Sequence, residues 1–142
     1  MKDTAALMAD FFAQDDLARL TADAGELLDC PLMVIDDAFR VTAHYAPPGF
    51  TDPLFDRAVQ QGAITYEAGT IISRSPALSA GAPDYVEVAD GTRLRRFAPL
   101  ISAGVRLGYL VCVDIDGHLA DIPAETFRTV ETVLAKQLFV EA

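Results

Sequence analysis

The residues whose chemistry matters first are two histidines, two cysteines and two adjacent arginines. His44 and His118 have no Cys, His or Glu at metal-ligand spacing beside them, so no metal site is expected. Cys30 precedes Pro31, and Cys112 sits in the apolar run Leu110-Val111-Cys112-Val113. Both read as buried, reduced thiols, with a disulfide as the alternative. A reactive thiol needs an exposed, electropositive setting, which neither has. Ser73, Ser75 and Ser79 lie in one loop with no base close in sequence, and no glycine loop of the phosphate-cradling kind is present. Neither catalysis nor a cofactor is expected. A cysteine-dependent reductase is the enzymatic alternative, and slow alkylation of both thiols at native pH would dismiss it. Asp36-Asp37 and Asp114/Asp116 bracket turns, where aspartate bonds its own backbone.

Arg95 and Arg96 say more. On a strand they point to opposite faces, so one of them meets a covered face of the sheet. A guanidinium there needs an anion, either a carboxylate of the chain or one brought by a ligand. Which of the two faces a pocket depends on register, since a one-residue slip reverses the assignment. Arg96→Ala is expected to weaken an anionic ligand without unfolding the domain. Phe97, Tyr109, Tyr66 and Tyr45 are candidates to line the same pocket, with core packing as the other reading.

These residues need a scaffold, and its size is bounded. The chain has 142 residues, half of them apolar, which fits a single domain over 1–142. Its net charge is −10, with 11 basic against 21 acidic residues, which argues against binding a phosphate backbone. No apolar run approaches bilayer length, and Met1-Lys2-Asp3 lacks the start of a secretory signal. A soluble, cytoplasmic protein is expected, without membrane or direct nucleic-acid contact.

Helical spacing appears twice in residues 4–29, with Asp15-Asp16 as the cap between the helices and Pro31 ending the second. Leu32–Ile35 reads as a buried strand, and residues 39–45 as its half-buried hairpin partner. Asp52-Pro53 opens a helix that Gly62 stops. Residues 64–72 are ambiguous between helix and strand, and 73–83 reads as loop. Tyr85 to Val88 is a short strand, Asp90-Gly91 a hairpin turn, and two long strands follow over about 93–102 and 105–115. A helix over 123–140 closes the chain. The division is thus N-terminal helices 4–29, sheet and lid 31–116, and the last helix, an α+β fold with a five- to six-stranded antiparallel sheet.

The layout resembles the GAF/PAS-type sensor fold, and more narrowly the N-terminal GAF-like domain of PucR/CdaR-type bacterial transcription regulators. Four segments carry the resemblance: Leu27-Leu28-Asp29-Cys30-Pro31-Leu32-Met33-Val34-Ile35-Asp36, Phe39-Arg40-Val41-Thr42-Ala43, Arg95-Arg96-Phe97-Ala98-Pro99-Leu100-Ile101 and Leu107-Gly108-Tyr109-Leu110. It spans about residues 15–140. It implies a sheet with helices on one face and a ligand pocket on the other. It also implies a regulatory role sensing a small molecule; the arginines and aromatic residues suggest an anionic or aromatic one, and the apolar stripes at the two chain ends suggest signalling through a helix-mediated homodimer. In that family a helix-turn-helix output domain follows; no such element precedes Ala142. The apolar stripes Phe11, Leu17, Leu20 and Phe127, Val130, Leu134 pack either on the sheet or on another copy. A ligand-free protein-interaction or dimerisation module of the same fold is the alternative function.

Overall fold

The computed structural model describes residues 3–88 and 91–141. Two short helices open the chain, α1 (Thr4–Phe12) and α2 (Leu17–Leu28). Asp3 caps the first through Ala6 N at 2.8 Å, and Asp16 caps the second through Arg19 N at 2.9 Å. Asp29 ends α2 in the left-handed region, and Pro31 prevents its continuation.

Five strands follow: β1 (Leu32–Asp36), β2 (Val41–Tyr45), β3 (Asp84–Val86), β4 (Arg95–Ser102) and β5 (Val105–Val113). They form one sheet in the order β2-β1-β5-β4-β3, antiparallel at every pairing. The segment between β2 and β3 holds three helices, α3 (Pro53–Gln61), α4 (Tyr66–Arg74) and α5 (Pro76–Ser79). The last helix is α6 (Ala124–Glu141).

The strand period divides the sheet into two faces. Leu32, Val34, Leu100, Leu110 and Cys112 face α1, α2 and α6. Met33, Ile35, Phe97, Tyr109, Val111 and Val113 face the other way, under Phe55, Ala58, Ile72 and Leu78 of the α3–α5 segment. We call the first the helix face and the second the lid face. Gly108 lets β1 and β5 approach: a Cβ there would lie 1.9 Å from the Ile35 carbonyl oxygen. Gly25 does the same for α2, since its Cβ would fall 2.1 Å from the Tyr45 ring.

The ambiguous stretch 64–72 is helical. Thr65 caps α4 through Ala68 N at 3.2 Å, and its buried residues Ala68, Gly69 and Ile72 recur at helical spacing, which outweighs the β-branched content. The expected loop 73–83 contains α5, capped by Ser75. The first part of the expected Asp90-Gly91 turn lies outside the described residues.

The two apolar stripes pack on the sheet. Leu17, Leu20, Phe127, Val130 and Leu134 are all buried in the helix-face core, and Phe11 is half-buried at its edge. Burying each such side chain is worth about 1.5–3 kcal/mol, so the sheet claims them before a second copy can. As dimer contacts these five are therefore corrected. The helices instead leave Phe12, Phe139 and Val140 exposed. Glu141, in the last turn of α6, accepts from Leu17 N at 2.7 Å and from Gln137 Nε2 at 2.5 Å, closing the helix layer. Among the described residues no helix is long and apolar enough to cross a membrane.

Candidate functional site

Alternation along β4 resolves the arginine pair. Pairing of Arg96 with Cys112, a helix-face residue, sets Arg96 toward α6 and Arg95 toward the lid. Arg96 meets Glu131 at 2.7 Å, and its guanidinium carbon lies 3.7 Å from the centre of the Phe127 ring. It fastens α6 to the sheet. The expectation that Arg96 receives a ligand is corrected: its charge is spent inside the helix layer.

Arg95 is buried on the lid face. It donates to Asp52 Oδ1 at 2.5 Å and to the Arg93 carbonyl at 2.7 Å. Asp52 is also the N-cap of α3, accepting from Leu54 N at 3.1 Å and Phe55 N at 2.9 Å. Arg93 adds a looser contact to its second oxygen at 3.4 Å and donates to the Thr51 carbonyl at 2.9 Å. One carboxylate thus ties the first turn of the lid to the sheet. Burial by itself pushes the Asp52 carboxyl upward, but the Phe55 amide and the Arg95 guanidinium outweigh it and hold the carboxyl below the usual range. Burial draws Arg95 down while Asp52 opposes it, and the guanidinium remains charged.

Around this pair lies a cavity of about 40 Å³ lined by Phe97, Val111 and Val113 of the sheet and by Phe55, Ala58, Thr65 and Ala68 of the lid. One water occupies about 30 Å³ in the liquid, so the space beside Arg95 is of that order and well below the size of an organic ligand. Outside it, at the turn between β1 and β2, a cleft of about 440 Å³ opens between Phe39 and α4.

The expected pocket residues therefore separate. Arg95, Phe97 and Tyr109 share the lid face. Tyr45 is on the helix face, half-buried against Gly25, and burial raises its phenol above the ordinary value. Tyr66 begins α4 and is 90 % exposed on the rim of the outer cleft. As pocket lining, Tyr45 and Tyr66 are corrected, the first by strand parity and the second by helix phase. Asp52 and Phe39 were missed. The Asp-Pro signal was read as a helix start, and nothing in a sequence says that a cap also bears an ion pair.

None of the remaining chemistry-bearing groups named from the sequence lines this cavity. His118 donates from Nε2 to the Leu28 carbonyl at 2.8 Å, at the end of α2. His44 is exposed on the edge strand β2. Cys30 and Cys112 are free and wholly buried. Hydrogen bonding to Cys112, together with burial, drives the Cys30 thiol far above the ordinary range, which suppresses the thiolate. Ser75 bonds Asp84 at 2.7 Å and Leu78 N at 3.2 Å, so its hydroxyl serves the α5 cap.

No protein-family model matches the chain. No curated protein matches it. Solved structures do. The GAF domain of a phosphoenolpyruvate-protein phosphotransferase from Coxiella burnetii superposes with a TM-score of 0.56 at 15% identity, covering 96% of this chain and 90% of that one. The phycocyanobilin-bound GAF domain of a cyanobacterial phytochrome gives 0.55 at 16% identity, covering 97% and 94%. The chain has the fold of these domains: a five-stranded antiparallel sheet with flanking helices.

Proposed function

We propose that this domain is a small-molecule sensor whose ligand binds between the lid and the sheet and brings an anion to Arg95. One observation carries the reading: a buried guanidinium on the lid face has as its acidic partner the cap of the lid's own helix, Asp52. A ligand carboxylate or phosphate that takes Asp52's place keeps the guanidinium paired, and it unfastens the first turn of α3. Binding and lid movement are then one event. Phe97 and Val111 supply an apolar floor for the body of the ligand, and Tyr109 extends it. Thr65 and Arg95 are the polar residues lining the cavity, which suits recognition more than turnover. The segments shared with PucR/CdaR-type domains support placing this sensor in a cytoplasmic bacterial transcription regulator.

The test is mass spectrometry under native and denaturing conditions on the wild type and on Arg95→Met. Excess native mass in the wild type that vanishes in the variant is the expected result. Excess mass unaffected by the substitution would remove Arg95 from the site, and its absence in both would remove the bound ligand.

A second reading, pairing of two copies, is favoured by the outer side of α1 and α6. Phe12, Phe139 and Val140 are exposed there, 72%, 52% and 71% respectively. A groove of about 470 Å³ between the helices is bordered by Arg128 and Lys136, although the chain as a whole carries −10. Phe11, Phe12 and Glu125 line the same groove, and the α1 end of a second copy would bring Asp15 and Asp16 to Arg128 and Lys136. Sedimentation of wild type and Phe139→Asp over a concentration series decides it: a wild type that stays monomeric throughout ends the idea.

A further inference from the structure

The Asp52 carboxylate serves two guanidiniums, one on each oxygen. Arg95 meets Oδ1 at 2.5 Å, and Arg93 stands 3.4 Å from Oδ2. Asp56, one turn along α3, is the next acid at this end of the helix, and its carboxylate accepts from the Asp52 amide at 3.3 Å. Two cations therefore share one partner at the point where the lid is tied to the sheet.

The two arginines differ in access. The Arg95 side chain is 5% exposed and lines the lid-face cavity, whereas that of Arg93 is 45% exposed. Arg93 is nonetheless held in place. Its Nη1 donates to the Thr51 carbonyl at 2.9 Å, and its guanidinium carbon lies 5.2 Å from the centre of the Phe50 ring. Phe50 meets Phe55 edge-on, 5.5 Å between ring centres, and Phe55 lines the cavity. A guanidinium offers a fork of N–H donors, and the contacts of Arg93 engage Nη1. A positioned cation with donors to spare thus stands on the solvent side of Asp52.

This arrangement bears on which anion can displace Asp52. Because Asp52 bridges the arginines, whatever takes its place at Arg95 also meets Arg93. A ligand carboxylate brings one charge, as Asp52 does, and competes with a group that the chain itself keeps nearby at high effective concentration. It gains nothing at the guanidiniums by the exchange. A phosphate monoester brings about two charges and three acceptor oxygens, enough to pair with Arg95 and Arg93 separately. The exchange is then favourable at both arginines.

We propose that the ligand's anion is a phosphate monoester and that Arg93 selects it. This rests on the lid-face reading above. It adds the charge of the ligand and a second arginine that determines specificity, while Arg95 remains the anchor.

The experiment titrates the protein calorimetrically with phenyl phosphate and phenyl sulfate at about pH 8, where the phosphate ester carries about two charges and the sulfate ester, of similar shape, carries one. The wild type should bind phenyl phosphate about tenfold more tightly, as one further charge-assisted contact at a half-exposed site allows. Arg93→Met should bring the two esters level, Arg93→Lys should keep part of the preference, and Arg95→Met should abolish binding of both. Equal affinity of the wild type for the two esters, with both lost in Arg95→Met, would overturn the phosphate assignment and leave the lid-face site standing. A preference that persists in Arg93→Met would overturn the role of Arg93. Binding of neither ester, or binding indifferent to Arg95, would overturn the site and this proposal together. The wild-type comparison needs no variant, so the charge of the ligand is tested even if Arg93→Met does not fold.

Discussion

The two faces of the sheet are closed by different chemistry. On the helix face, α1, α2 and α6 bury Leu7, Leu20, Leu28, Val130 and Leu134 to 1 % exposure or less, and Arg96–Glu131 sits within that apolar layer. On the lid face, α3, α4 and α5 contribute Phe55, Ala58, Ala68, Ile72 and Leu78 as buried apolar residues outside the sheet, two of them alanines. Its first turn is held to the sheet by the pairing of the Asp52 carboxylate with Arg95, the contact that the proposed ligand anion would replace. The helix face is closed by area, which a small ligand cannot compete for. The lid face is closed by a pairing that one ligand group can imitate. Local opening free energies are expected to follow the same division, lower at the lid than at the helices.

The comparison can be broken from either side. The largest effect is expected from Leu134→Ala, which empties a fully buried site on the helix face and costs about 2–5 kcal/mol. Urea unfolding should show that loss as one cooperative transition; a loss confined to α6 would mean that the helix layer, too, opens locally. Next comes Asp52→Ala, which removes a helix cap and leaves Arg95 unpaired until the lid lifts, for about 1–3 kcal/mol. Hydrogen exchange should quicken in α3 while α6 stays protected, and equal acceleration in both would erase the distinction between the faces. Ser75→Ala removes the α5 cap and the bond to Asp84 and should cost about 1 kcal/mol, again read as faster exchange near Leu78.

The smallest effect sharpens the comparison through pH. The folded-state pKa of Asp52 is lowered, so its stabilisation is complete above the unfolded value of about 3.9 and is lost as pH falls through the folded value. Protection of the α3 amides should therefore be flat from neutrality to about pH 4 and decline below it. A decline that begins between pH 6 and 7 would point to another group.

Much of the scaffold was legible because local signals and tertiary packing agreed. Asp52-Pro53 and Gly62 bounded α3, and the apolar run expected as a strand over 105–115 is β5, Val105–Val113. The segment 64–72 was not legible, because Ile64, Ile71 and Ile72 favour a strand while burial at 68, 69 and 72 suits a helix. The facing of Arg95 and Arg96 needed a register, and strand pairing supplied it. Tyr45 and Tyr66 failed as pocket lining for a related reason: an aromatic residue announces burial without saying on which side. Phe39 was read as the first residue of the second strand, whereas its positive φ places it in the turn and β2 begins at Val41.

The clasp made by Glu141 gives the molecule a mechanical property. Its carboxylate accepts from the first amide of α2 from the final turn of α6, so two helix ends far apart in sequence meet at one corner. A tug or twist on that end of α6 reaches the start of α2 directly, without crossing the sheet. The corner is a lever whose fulcrum is one hydrogen bond, and Glu141→Gln would weaken its grip while leaving its shape.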